Sequence, residues 1–164
     1  MDAAPMPRAF PGSGMLHPLV LGAVGLLLLN DHWFKAAWPS WWTGKLSDVA
    51  GLAMFPLLLQ ALWEQVATRR DAAFHPSRRV LVVCVVLTAL CFAAIKLFPL
   101  AAMGWRWGLG ALQWPFRGLL ALLSGRSLPE VSPVRHTMDV TDLLTLPAVL
   151  VSLGLGWRRG KATP

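Results

Sequence analysis

The sequence predicts an all-α membrane protein, a four-transmembrane-helix bundle with an interfacial helix between the third and fourth spans. Three observations carry that expectation. Of 164 residues, 55% are hydrophobic and 14% are charged, against about 25% charged in an ordinary soluble domain. The apolar residues fall in runs suited to crossing a hydrocarbon core, which takes about 20 residues of helix. The basic residues collect just outside those runs, where they set orientation. The length gives a single integral membrane domain, 1–164, with no room for a soluble second one.

Residues 1–14 read as a disordered tail, because Pro5, Pro7, Pro11 and Gly12 break any periodicity. The first span is placed at about 16–34. It reads as uncleaved, since no small-x-small site follows Leu29 and the chain continues into Asn30-Asp31-His32-Trp33. The second span, about 46–63, is reached through Thr43-Gly44-Lys45 and left through Glu64 and Arg69-Arg70. Glu64 is expected to form a surface pair with the arginines beside it. The third span, about 80–97, holds the charge-free run Val80 to Ile95 between Arg78-Arg79 and Lys96. The fourth, about 141–157, begins near Asp139 or Asp142 and stops at Arg158-Arg159-Gly160-Lys161. Pro56 and Pro147 lie inside spans two and four, where neighbouring helices can satisfy the freed carbonyls.

Between spans three and four, Arg106 and Arg117 bracket only ten residues, too few for a fifth crossing. Residues 105–124 are therefore expected to be an interfacial segment, with Trp105, Trp107, Trp114 and Phe116 at headgroup level. Cys84 and Cys91 lie seven residues apart on one predicted helix, about 10 Å at 1.5 Å per residue. That is too far to bridge, and both are expected to be buried as small apolar residues.

Four spans put both termini on one side. With that side inside, the cytoplasmic segments hold Arg8, Arg69, Arg70, Arg78, Arg79, Arg158, Arg159 and Lys161. The external loops hold Lys35 and Lys45, then Lys96, Arg106, Arg117, Arg126 and Arg135. The expected location is the cell (inner) membrane, multi-pass, with N-terminus and C-terminus cytoplasmic. These flanks account for the net charge of +7. No basic face with base-stacking aromatics stands apart from the membrane, so nucleic acid is not an expected partner.

Under that topology Asp31, His32, Lys45, Asp48, Lys96, Arg135, His136, Asp139 and Asp142 share one external layer. Trp33, Trp38, Trp41, Trp42, Trp105, Trp107 and Trp114 lie at the same interface. Ionisable groups at such depths cost several kcal/mol unless paired or hydrated, which makes these nine residues the candidates for ligand binding or a polar network. Asp48 is expected near the depth of Asp142, sharing Lys45, Lys96 or Arg135 with it. His136, Asp139 and Asp142 are spaced three apart, and on a helix that starts early enough they share a face. Such a row could hold a divalent cation. The competing reading makes Asp139 an N-cap with Asp142 in the first turn. Which metal, if any, is left open, and no cofactor is implied.

Leu29-Asn30-Asp31-His32, Thr43-Gly44-Lys45-Leu46-Ser47-Asp48-Val49-Ala50-Gly51-Leu52 and Asp139-Val140-Thr141-Asp142-Leu143-Leu144-Thr145-Leu146-Pro147 together resemble a group of uncharacterised bacterial multi-pass membrane proteins. That likeness covers nearly the whole hydrophobic chain and implies no activity. More distantly, the Asp-x-x-Asp-Leu start of the last span is similar to VanZ-like proteins, associated with envelope glycopeptide resistance. The chain departs from them where Thr145-Leu146-Pro147-Ala148 replaces the Asn-x-x-Gly that usually follows their final acidic pair.

No nucleophile motif, zinc motif, P-loop or dinucleotide fingerprint appears. The leading expectation is a non-catalytic membrane protein whose external polar layer binds a lipid headgroup, an envelope component or a membrane protein partner. One alternative is an intramembrane acid-base or metal-assisted enzyme on a lipid or lipid-linked substrate, with Asp48 or Asp142 as base and Lys45 or Arg135 holding an anionic group. The other is a small transporter or transporter subunit.

Overall fold

The structure is a computed structural model that describes residues 10–68 and 76–159, and the regular structure among these residues is helical, with no strand. Arg8, Arg69, Arg70 and Lys161, which carry part of the charge asymmetry, lie outside the described residues. Five helices organise the chain: α1, Pro18–Ala37; α2, Trp41–Thr68; α3, Arg78–Leu97; α4, Pro99–Leu123; and α5, Val140–Arg159. Among the described residues, α1, α2, α3 and α5 are long and apolar enough to cross a membrane. The 25-residue α4 is not among them.

Local chemistry explains the boundaries. Pro18 opens α1 at the first helical position, where its missing N–H costs nothing, and the ring of His17 accepts the Leu19 N–H. At Asn30–Phe34 the helix widens into a π-turn, a local insertion frequent at functional sites. Pro99 opens α4 in the same manner as Pro18 opens α1. Helix α5 starts as a 3-10 segment, Val140–Ala148, that contains Pro147, and becomes α-helical at Val149.

The chain divides into two compact units. The first comprises Met1–Leu90 and Leu144–Pro164. Here α2 packs against both α1 and α5, and its buried residues Leu57, Gln60, Ala61 and Glu64 repeat at helical spacing. Near the interior Pro56, the Ala53 carbonyl accepts a 2.6 Å hydrogen bond from Ser152 of α5, so the neighbouring helix does donate into this stretch of α2. Gly156 of α5 lets that helix approach Leu81 of α3: a Cβ there would stand 2.6 Å from the Leu81 side chain. Residues 10–14, expected in a disordered tail, are instead structured. Gly12 adopts a left-handed conformation (φ 81°), a short 3-10 turn follows at Ser13–Leu16, and the Gly12 N–H is held by Glu64.

The second unit, Cys91–Leu143, contains α4 and an extended strap, residues 124–139, that returns along it. The Val134 N–H donates to the Arg106 carbonyl at 3.0 Å and Trp114 Nε1 donates to the Pro129 carbonyl at 2.7 Å. The approach is closest at Gly110, where a Cβ would stand 2.1 Å from the Ser132 carbonyl oxygen. Only glycine permits this contact. Cys84 is buried as expected, but Cys91 is exposed, because it lies on a face of α3 that other side chains leave uncovered.

Candidate functional site

In the first unit the polar groups gather at the corner between α1 and α2. The π-turn brings Asn30 to α2, where it is completely buried. Its amide nitrogen donates to the Thr43 carbonyl and to Ser47 Oγ, both at 2.6 Å. Thr43 and Ser47 are four residues apart and so share one face of α2. Ser47 Oγ passes the connection on, donating to Asp31 Oδ1 at 2.7 Å, and the same oxygen accepts from Lys35 Nζ at 2.6 Å. The result is a relay from a sealed amide to a surface ion pair. Asp31 and Lys35 each keep 42% of their side-chain surface exposed, and Trp33, Trp38, Trp41 and Trp42 are exposed near them in sequence.

One atom of this corner lacks a complement. Asn30 Oδ1 is buried and accepts no hydrogen bond among the described residues. An unsatisfied buried acceptor costs about 1–3 kcal/mol. The other candidates of this corner take lesser places. His32 is exposed, and its Nδ1 lies 2.9 Å from the Leu28 carbonyl, to which it donates. Lys45 lies over the Trp41 ring, 5.6 Å from its centroid, a cation–π contact. Asp48 is half-buried, one residue beyond Ser47 on α2.

In the second unit Lys96, in the last turn of α3, meets Asp142, in the first turn of α5, at 2.5 Å. The side chains are only 7% and 10% exposed, and Lys96 Nζ also lies 5.3 Å from the Phe92 ring centroid. The expected cation for Asp142 is thus Lys96. Arg135 is exposed on the strap.

The His136, Asp139, Asp142 row does not form on one helix. Helix α5 starts only at Val140, so His136 belongs to the strap, where its Nε2 donates to the Ile95 carbonyl at 3.0 Å. Asp139 is the cap: its Oδ1 accepts from the Thr141 N–H at 2.8 Å and from Thr141 Oγ1 at 2.7 Å. Capping fixes Asp139 at the helix boundary while Asp142 turns inward. Among the described residues no three His, Cys, Asp or Glu side chains are grouped to hold a metal ion.

The chain's other polar centre was not expected. Glu64, anticipated at the surface, is buried. Both its oxygens are taken by the guanidinium of Arg159, at 2.9 Å each, and Oε2 also accepts the Gly12 N–H at 2.8 Å. Arg159 further donates to the Phe10 carbonyl at 3.0 Å. Arg78, one helix away, stacks over the Trp157 ring at 5.0 Å. The sequence signal for Glu64 is its place in the series 57, 60, 61, 64, and for Asn30 the Thr43-x-x-x-Ser47 pair opposite it.

The arrangement is therefore one of closed pairs. Glu64 pairs with Arg159 and Lys96 with Asp142, both shielded from solvent, whereas the Asp31–Lys35 pair of the first unit's corner is exposed. No protein-family model, no curated protein and no solved structure matches the chain.

Proposed function

We propose that this chain is a non-catalytic multi-pass membrane protein that crosses the bilayer with α1, α2, α3 and α5, lays α4 in the interface, and engages a lipid headgroup or envelope component through its polar layer. The observation that carries this reading is the relay Asn30–Ser47–Asp31–Lys35. Its sealed end fixes the corner and its exposed ion pair meets the surrounding headgroups, with tryptophans of the kind that anchor at that level. Both termini lie on the cytoplasmic side in this reading, which puts the Glu64–Arg159 pair at the inner face. Resemblance to the bacterial membrane group and to VanZ-like proteins supports an envelope setting. Against the enzymatic alternative, Asp142, one of its two would-be bases beside Asp48, already holds Lys96 in a sealed pair.

The test is a melting measurement in detergent with and without added lipid, on the wild type and on Asp31→Asn with Lys35→Gln. Exposed pairs contribute about 0–1 kcal/mol, so the lipid-free melt of the double variant should fall little. Its lipid-induced rise should disappear. A rise equal to that of the wild type would refute a headgroup role for this corner.

A further inference from the structure

The surface of the second unit is divided by charge. On α4 the face under the strap carries Arg106 and Arg117, while the opposite face repeats Trp105, Leu112, Phe116, Leu119 and Leu123 at helical spacing, all exposed. Gly108 lies at the edge of that face with open space above it. The exposed charges of α4 and the strap are Arg106, Arg117, Arg126 and Arg135 against Glu130. A stripe this apolar beside arginines is the pattern of a helix lying in the membrane plane.

Two of the arginines are held in position. Arg106 Nε donates to the Val134 carbonyl at 3.1 Å, and Arg117 donates from one Nη to Ser132 Oγ at 2.9 Å. Each is thus anchored through one nitrogen, and the rest of its guanidinium fork donates to no partner among the described residues. Such a fork suits the oxygens of a phosphate. The two residues stand eleven positions apart on α4, about 16 Å at 1.5 Å per residue, so they address separate phosphates.

We propose that α4 and its strap form an anionic-phospholipid clamp: the apolar face of α4 enters one leaflet, and Arg106 and Arg117 hold the phosphates of anionic lipid headgroups. The proposal rests on the interfacial placement of α4. It adds the lipid class and a second set of residues to that placement.

The full chain is tested in nanodiscs of equal phosphatidylcholine and phosphatidylglycerol, with native mass spectrometry counting the lipids retained. The wild type should retain the anionic lipid in preference, and each of Arg106→Gln and Arg117→Gln should lower that preference about fivefold, the worth of one arginine near a charged surface. Arg106→Lys with Arg117→Lys keeps both charges, loses the forks, and should show an intermediate preference while melting as the wild type does. No preference in the wild type, or one unaltered by both Gln substitutions together, would overturn the clamp. Displacement of the lipid by millimolar inorganic phosphate would assign the arginines to a free anion instead and also overturn it. A nitroxide at Leu112→Cys, with Cys84 and Cys91 replaced, reads the placement separately. A shallow depth in the leaflet supports it, and exposure to water or a midplane depth means that the interfacial reading itself has failed.

Discussion

Arg159 grips Glu64 across 95 residues of sequence with two parallel hydrogen bonds of 2.9 Å, and both side chains are shielded from solvent. Bidentate geometry is the strong form of this contact. The net stabilisation from a sealed pair is small because both ions lose their hydration, but removing one partner costs about 3–5 kcal/mol. Glu64→Gln isolates the charge, since its amide oxygen can still accept the Gly12 N–H. This variant should melt far below the wild type in detergent, and Glu64→Leu with Arg159→Met should recover much of the loss. Additive losses in that double-mutant cycle would show that the two residues are not coupled.

Asn30 offers a sharper contrast because donor and acceptor ends have different fates. Its nitrogen serves Thr43 and Ser47 while its oxygen has no partner among the described residues. Asn30→Asp replaces the serving end with an oxygen that faces the Thr43 carbonyl, and should destabilise more than Asn30→Ala, which should itself cost about 1–3 kcal/mol. Thermal unfolding of the two variants decides it; the reverse ranking would mean that the amide is oriented the other way round.

Asp139 and Asp142 separate a cap from an ion pair within four residues. Asn caps about as well as Asp, so Asp139→Asn should be nearly silent and Asp139→Ala should cost about 0.5–2 kcal/mol. Asp142→Asn removes the charge that Lys96 pairs with and should cost more than either, on the order of 3 kcal/mol. Melting curves of the three variants provide the check, and a silent Asp142→Asn would mean that Lys96 reaches solvent.

The proposed four crossings, with both termini inside, predict opposite sides for two serines. On a background with Cys84 and Cys91 replaced, Ser124→Cys should react with a membrane-impermeant maleimide on intact cells and Ser77→Cys only after permeabilisation. Labelling of Ser77→Cys from outside would invert the orientation.

What the sequence makes legible here is what depends on neighbours along the chain. The four apolar runs, the arginines at their edges, the cap at Asp139 and the inward turn of Asp142 all follow from local spacing. The span limits fall short chiefly at α2, whose helix continues through the polar turns at both ends, Trp41 to Leu46 and Glu64 to Thr68, because hydropathy stops where helical hydrogen bonding does not. Glu64 was misplaced for a related reason. Arginines five and six positions ahead suggest a surface pair, whereas its true partner is a helix away. Asn30 was overshadowed by the charged Asp31 and His32, although the π-turn makes the neutral residue the buried one. The strap is not legible because most of its hydrogen bonds run to backbone carbonyls, which carry no sequence identity.

The Glu64–Arg159 contact also sets a timetable for biogenesis. Helix α2 leaves the ribosome 95 residues ahead of Arg159, an interval of about 5–20 s at ordinary elongation rates. Throughout it, the nascent α2 holds a carboxylate whose guanidinium has not yet been made. Helix α2 therefore waits for its guanidinium until α5 is complete, so the last helix to be synthesised closes a contact whose acid was made with the second.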